Sequence, residues 1–89
     1  MNEEIQKCGD IIYKRISKKK AVNVFTKGMS VFLLPSKVRF NNMWIKPYEI
    51  NKNHGYNFDQ IISTYIYCNC NNEYGRYPKF YVNLTNLQN

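Results

Sequence analysis

The chain has 89 residues, with thirteen Lys and Arg against six Asp and Glu, and its formal net charge is +7 at pH 7. This length corresponds to a single domain, residues 1–89 with a frayed tail at 85–89, and the 44% hydrophobic content is too high for a disordered chain. No run approaches the roughly 18 apolar residues of a membrane-spanning helix, and the N-terminus lacks the apolar run of a secretion signal, so we expect a soluble, cytoplasmic protein.

The first predicted element is a helix over residues 3–18. Apolar side chains recur there at intervals of three and four positions, namely at Ile5, Cys8, Ile12 and Ile16. Gly9 is unfavourable in a helix interior, but the spacing still favours a helix. Residues 21–25 then predict a strand, which ends at a turn over residues 26–28.

Two further strand regions are predicted in the middle of the chain. Residues 29–34 form a short apolar run closed by Pro35, which is typical of a buried strand. Residues 37–40 and 43–46 predict a hairpin around Asn41-Asn42, because asparagine tolerates the positive φ of hairpin turns.

The second half of the chain predicts a loop, a helix and a last strand. Asn57 follows the loop and is a good N-cap for a helix over residues 58–67, and residues 78–84 alternate as a strand does. The predicted order is α-β-β-β-β-α-β. It indicates an α+β fold, a small antiparallel sheet of about five strands with two helices on one face.

Charge is distributed unevenly along the chain. No acidic residue lies between Asp10 and Glu49, whereas nine basic residues do. A field of one sign over this length favours a polyanion as the partner, or else the acidic surface of another protein. A solvated face without a partner is the third interpretation. We favour nucleic acid, single-stranded DNA in particular, and the other two interpretations stay open.

Two groups of residues are candidates for contacting nucleic acid. The basic cluster at the end of the first predicted helix would hold backbone phosphates, and the polar side of two predicted strands would add cations and a ring for base stacking. The candidate residues are Lys14, Arg15, Lys18, Lys19, Lys20, Lys37, Arg39, Lys79 and Tyr81.

Tyrosines are frequent in the second half of the chain. Tyrosine and arginine are common at protein interfaces, so the loop Tyr74-Gly75-Arg76-Tyr77 predicts a contact surface for a protein partner. Tyr74, Arg76 and Tyr77 are its candidate partner-binding residues. Trp44 and Tyr65 are large rings that we expect in the core.

Groups for metal binding or catalysis are few. Four side chains could supply zinc ligands: Cys8, Cys68, Cys70 and His54. Structural zinc sites usually combine two ligand pairs, and only one C-x-C pair exists here. One histidine, six acids and no glycine-rich phosphate loop leave little for acid–base or nucleophilic chemistry. We therefore expect no enzyme activity, no cofactor, no metal and no small-molecule substrate.

Two long segments resemble a family of small proteins encoded on staphylococcal cassette-type mobile elements. The segments are SVFLLPSKVRFNNMWIKPYEI (Ser30–Ile50) and FDQIISTYIYCNCNNEYGRYPKFYV (Phe58–Val82), and the resemblance of pattern and composition covers roughly residues 20–82. It implies a non-catalytic accessory subunit that binds a family A DNA polymerase and supports DNA priming, while the polymerase supplies the metals and the chemistry. No residue role follows from the resemblance.

Two other functions are compatible with the sequence. One is a phage or plasmid inhibitor of a host defence nuclease, of the anti-CRISPR or anti-restriction kind. A net charge of +7 excludes an inhibitor that mimics DNA, but not one that binds a guide RNA or an acidic nuclease patch. The other is a dimeric DNA-binding repressor.

Overall fold

The computed structural model of the chain describes residues 5–8, 10–38 and 47–84, with only the backbone at Cys8. Within these residues, five antiparallel strands form one open sheet, against which two helices pack. The elements are β1 (Ile5–Cys8), β2 (Ile11–Ile16), α1 (Lys18–Thr26), β3 (Val31–Pro35), β4 (Tyr48–Ile50), a 3₁₀ helix (Lys52–His54), α2 (Phe58–Asn69) and β5 (Pro78–Asn83). The predicted α+β fold class is confirmed.

The predicted helix over residues 3–18 is wrong. β1 and β2 form an antiparallel hairpin, in which Cys8 pairs with Ile11. The two residues between them are Gly9 and Asp10, a combination typical of two-residue hairpin turns. The β-branched residues of β2 also favour a strand, because they pack well on a pleated surface.

The predicted strand over residues 21–25 is also wrong, because this run lies in α1. Ser17 caps the helix, and its Oγ accepts a hydrogen bond of 3.1 Å from the backbone N–H three residues later. Ala21 and Phe25 lie one turn apart on the buried side. Gly28 follows the helix at a φ of +89°, a left-handed conformation that glycine adopts without strain.

In the rest of the chain, β3, α2 and β5 lie where a strand, a helix and a strand are predicted. Asn57 caps α2 as expected: its Oδ1 accepts a 2.8 Å hydrogen bond from Gln60 N, and Gln60 Oε1 accepts one of 3.1 Å from Asn57 N. Neither α2 nor α1 is long and apolar enough to cross a membrane. Most of the predicted hairpin (residues 39–46) and the tail at 85–89 lie outside the described residues.

β5 lies at the centre of the sheet, whose strand order is β1-β2-β5-β3-β4. Both helices pack on one face of this sheet and share one core with it. Phe58 of α2 joins the three layers, since its ring centroid lies 5.4 Å from that of Phe25 in α1 and 6.0 Å from that of Phe80 in β5. The buried cluster consists of Ile16, Ala21, Phe25, Val31, Leu33, Ile50, Phe58, Ile62, Tyr65, Phe80 and Val82.

The opposite face of the sheet carries a second, smaller buried cluster. It is formed by Tyr13, Phe32, Leu34 and Tyr81, and Val38 packs against it. The ring centroid of Tyr13 lies 5.2 Å from that of Phe32 and 6.5 Å from that of Tyr81, both in edge-on geometry. The sheet is therefore apolar on both faces, at least across β2, β5 and β3.

Candidate nucleic-acid interface

Four exposed lysines lie on α1 and at its C-terminal cap. Lys18, Lys19 and Lys20 form the first turn of the helix, and Lys27 is the C-cap residue. No acidic residue lies in this first turn. Because the N-terminal end of a helix is electropositive, a cation there costs about 0.3–1 kcal/mol. A bound anion would offset this cost for the three lysines of the first turn. Together with Lys27, these three residues are named the α1 lysines below.

The α1 lysines differ from other lysines of the molecule in their hydrogen bonding. Within the described part of the chain, none of their ammonium groups has a hydrogen-bond or ion-pair partner. Lys37, Lys52 and Lys79, in contrast, each donate from Nζ to a backbone carbonyl. The acceptors are Asn72 O at 3.2 Å, Thr26 O at 3.1 Å and Val38 O at 2.6 Å. These three lysines connect segments of the fold, whereas the α1 lysines are available to another molecule.

The sequence predicted that Lys14 and Arg15 belong to one basic cluster with residues 18–20 at the end of a helix. In the structure they do not extend the group of α1 lysines. They are neighbours on β2, so their side chains lie on opposite faces of the sheet. Lys14 is half-buried opposite Val82 on the face that carries the helices, and exposed Arg15 lies opposite Tyr81 on the other face. One flat nucleic-acid surface therefore cannot contact both side chains.

The prediction that Tyr81 offers an exposed ring for base stacking is wrong. Its side chain is only 3% exposed, because it belongs to the second buried cluster. Lys79 lies half-buried two residues before it, on the same face. Lys37 is exposed in the turn after β3 rather than on a strand, and Arg39 lies outside the described residues. The sheet face predicted to bind nucleic acid is thus largely an apolar one.

The loop over residues 71–77, named the tyrosine loop here, exposes all three predicted partner-binding residues. Tyr74 is 48% exposed, Tyr77 is 68% exposed, and Arg76 is also exposed. Exposed rings of this size are unfavourable in water unless another surface covers them. The geometry is compatible with the predicted contact to a protein.

Local hydrogen bonds order the tyrosine loop. Asn71 Oδ1 accepts from Glu73 N at 2.8 Å and from Tyr74 N at 2.7 Å, and the backbones of Asn71 and Gly75 exchange hydrogen bonds of 3.0 and 2.9 Å. Lys37 N donates to Tyr74 O at 2.9 Å, which ties the loop to the turn after β3. Because the loop is already ordered, binding a partner requires little further loss of backbone entropy.

Among the rings expected in the core, Tyr65 is confirmed and Trp44 lies outside the described residues. Tyr65 is 6% exposed and stacks on Tyr48 at a centroid distance of 5.8 Å. The sequence did not single out Tyr67 as a surface ring, yet it is 89% exposed. Its position in α2, away from the apolar stripe that begins at Phe58, was the available signal.

The side chains considered as possible zinc ligands do not form a site in the part of the chain that the structure describes. No three His, Cys, Asp or Glu side chains come together there, and the side chain of Cys8 is outside it. Cys68 is exposed and Cys70 is half-buried, and both are free thiols. Burial raises the pKa of the Cys70 thiol, which makes it a weaker nucleophile and metal ligand at neutral pH.

Among the described residues, the α1 lysines and the tyrosine loop are therefore two surfaces that could bind another molecule. The resemblance to small proteins of staphylococcal mobile elements is based on the two sequence segments alone, and what it implies stays a prediction. Comparison of the chain with models of known protein families, with curated protein sequences and with solved structures found no match.

Proposed function

We propose that this protein is a non-catalytic accessory subunit of a mobile-element DNA replication enzyme. It binds single-stranded template or primer DNA through the α1 lysines, and it binds the DNA polymerase through the tyrosine loop. In this way it supports DNA priming. The class of partner comes from the sequence resemblance, and the two contact surfaces come from the charges and exposed side chains described above.

The absence of partners for the α1 lysines, within the described residues, is the observation that supports the nucleic-acid part. Four cations lie on a nine-residue helix and its cap without a carboxylate beside them. Lysines that neutralise phosphates release counterions from the nucleic acid, which supplies most of the affinity of sequence-independent binding. Contacts of this kind hold a strand without reading its sequence.

Support for a protein partner comes from the tyrosines. Tyr74 and Tyr77 are exposed on an ordered loop with Arg76 between them, and Tyr and Arg are the residues most often found at interface hot spots. Tyr74 also borders an open groove of about 1550 Å³ beside α2. Other tyrosines that line this groove are Tyr48, Tyr56 and Tyr65. Tyr74 therefore belongs both to the tyrosine loop and to the lining of the groove.

The nucleic-acid part is tested by binding labelled single-stranded DNA across a salt series. In the triple variant Lys18→Gln/Lys19→Gln/Lys20→Gln, we expect weaker binding and a salt slope smaller by about 2, since each phosphate contact on a single strand contributes about 0.7. The control is Lys37→Gln/Lys52→Gln/Lys79→Gln, which removes the same charge and should keep most of the slope. Circular dichroism of both variants confirms that they fold.

Two results would contradict the nucleic-acid part: no binding of the wild-type protein to DNA at low salt, or equal losses of DNA affinity in the two triple variants.

The polymerase part is tested by pulldown with the polymerase encoded beside the gene. We expect Tyr74→Ala/Tyr77→Ala to abolish its recovery and Tyr67→Ala, another exposed tyrosine, to leave it unchanged. Recovery of a host defence nuclease in place of a polymerase would support the inhibitor function instead.

A further inference from the structure

A shallow depression of about 270 Å³ lies along one side of α1. Its lining comprises Ser17, Lys19, Lys20, Asn23, Val24 and Lys27. It therefore follows the helix from the N-cap to the C-cap, rather than lying at one end. This feature is named the α1 depression below.

Helix periodicity explains which lysines share the depression. Residues 19, 20, 23, 24 and 27 fall within roughly 140° of one another at about 100° per residue, so they project from one side. Lys18 belongs to the same first turn but projects from nearly the opposite side, and it does not line the depression. Three of the α1 lysines are thus directed toward one place.

The polar groups of the α1 depression are mainly hydrogen-bond donors. Lys19, Lys20 and Lys27 carry ammonium groups without a partner among the described residues. Ser17 Oγ accepts from a backbone N–H, which leaves the hydroxyl hydrogen to donate. Asn23 adds an amide NH₂. Among the residues that the structure describes, no carboxylate lines the depression, so its chemistry fits an oxyanion.

We propose that the α1 depression is a binding site for a backbone phosphate of single-stranded nucleic acid. This inference rests on the proposed function and goes beyond it, because it assigns a specific site and adds Lys27, Asn23 and Ser17 to the contact residues. A phosphate presents oxygens in several directions and accepts from separated ammonium groups. Lysine binds phosphate as a point charge, so several ammonium groups can share one phosphate without the planar fork of arginine.

The charges of the three lysines also favour this occupant. Each ammonium group attracts a nearby anion, and none of them has a competing partner among the described residues. A phosphate at this place would contact residues from both ends of α1. It would hold the strand along the helix axis rather than at the helix tip.

The test measures the affinity for one oligonucleotide with single variants at fixed salt. We expect Lys19→Gln and Lys27→Gln to weaken binding about fivefold each. The control is Lys7→Gln on the edge strand β1, which removes the same charge from an exposed position outside the α1 lysines and should weaken binding less than twofold, because salt screens a distant charge. Asn23→Ala should weaken binding about threefold with an unchanged salt slope, because it removes a donor but no charge. Thermal melting of each variant verifies that the helix is intact.

The outcomes separate this inference from the proposed function. Equal losses of affinity for Lys7→Gln, Lys19→Gln and Lys27→Gln, with no effect of Asn23→Ala, would overturn the phosphate site while nucleic-acid binding stands. Absence of binding by the wild-type protein would overturn both. A polyglutamate peptide that competes better than an oligonucleotide of equal charge would overturn the choice of phosphate. Stronger losses at the lining residues, with weak competition by the peptide, are the expected result.

Discussion

At the scale of single residues, Gly75 is the one on which the tyrosine loop depends. Its φ of +111° lies in a region that side chains with a Cβ avoid. A Cβ at this position would also meet Ser36 Oγ and would lie 2.7 Å from the backbone nitrogen of Lys37. The loop therefore reaches the turn after β3 only because residue 75 has no side chain.

We predict that Gly75→Ala lowers the free energy of unfolding by about 2–5 kcal/mol, which combines about 1–2 for the left-handed φ with about 1–3 for overpacking. Gly28→Ala is the matched control. Gly28 has a similar φ of +89°, but nothing lies within 4 Å of its added Cβ, so we expect a loss of only about 1–2 kcal/mol. Urea unfolding measures both. Equal losses would mean that close contact at residue 75 is unimportant.

At the scale of elements, the positive charge at the start of α1 has opposite effects on two properties. It lowers the stability of the helix and it favours the binding of DNA. Ser17 is followed three residues later by Lys20, where a capping box would have Glu or Gln. We predict that Lys20→Glu raises the free energy of unfolding by about 0.5–1 kcal/mol, because it completes the box and places an anion at the electropositive end. The same variant should weaken DNA binding.

Lys27→Glu is the control for this prediction, since it changes the charge equally at the other end of the helix. There a carboxylate faces the electronegative terminus, so we expect stability to fall by about 0.3–1 kcal/mol while DNA binding again weakens. Chemical unfolding and a binding titration of the same samples provide both values. A stability change of the same sign in the two variants would contradict the explanation.

Elements were predictable from the sequence where a capping residue marks their start or where the spacing of their apolar residues fits only one type of secondary structure. α2 has Asn57 as its cap and a continuous apolar stripe, and β5 has Phe80 and Val82 two positions apart, as expected for one face of a strand. The β1–β2 hairpin was missed because isoleucines three and four positions apart fit a helix as well as two short strands. Gly9-Asp10 was the deciding signal, since this pair favours a turn over a helix interior.

The candidate site was predictable in its residue types but not in its geometry. The sequence showed that residues 18–20 are basic, and the structure places them on a helix where Lys27 joins them. Alternation in the last strand separated Phe80 from Tyr81, but it could not show that the second face is buried too. Burial of that face depends on contacts between segments distant in sequence, which a local pattern does not contain.

At the scale of the whole molecule, the strand order explains why local patterns were insufficient. The last strand, β5, lies between β2 and β3, so strands that are distant in sequence are paired in the middle of the sheet. β5 is covered by Phe58 on one face and lies beside Phe32 on the other. A sheet that is apolar on both faces leaves the helices and loops to carry polar function, and the α1 lysines and the tyrosine loop lie there.

The stability of the whole molecule should fall in alkaline solution, and Tyr65 should account for part of the loss. Burial raises the pKa of the Tyr65 hydroxyl far above its ordinary value of 10.0, and the negative charge of Cys70 raises it further. Above pH 10 the unfolded chain releases this proton and the folded chain retains it. Stability from this group is therefore complete below that pH and is lost as the pH rises.

We predict that the free energy of unfolding of the wild-type protein falls more steeply between pH 10 and 11 than that of Tyr65→Phe. The difference in slope should approach about 1.4 kcal/mol per pH unit, the value for one proton. Tyr67→Phe on the same helix is the control and should keep the wild-type slope, because Tyr67 is 89% exposed and its hydroxyl meets water in both states. Urea unfolding at half-unit pH steps measures the three slopes. Parallel curves for wild type and Tyr65→Phe would show that the buried hydroxyl is not the group that titrates.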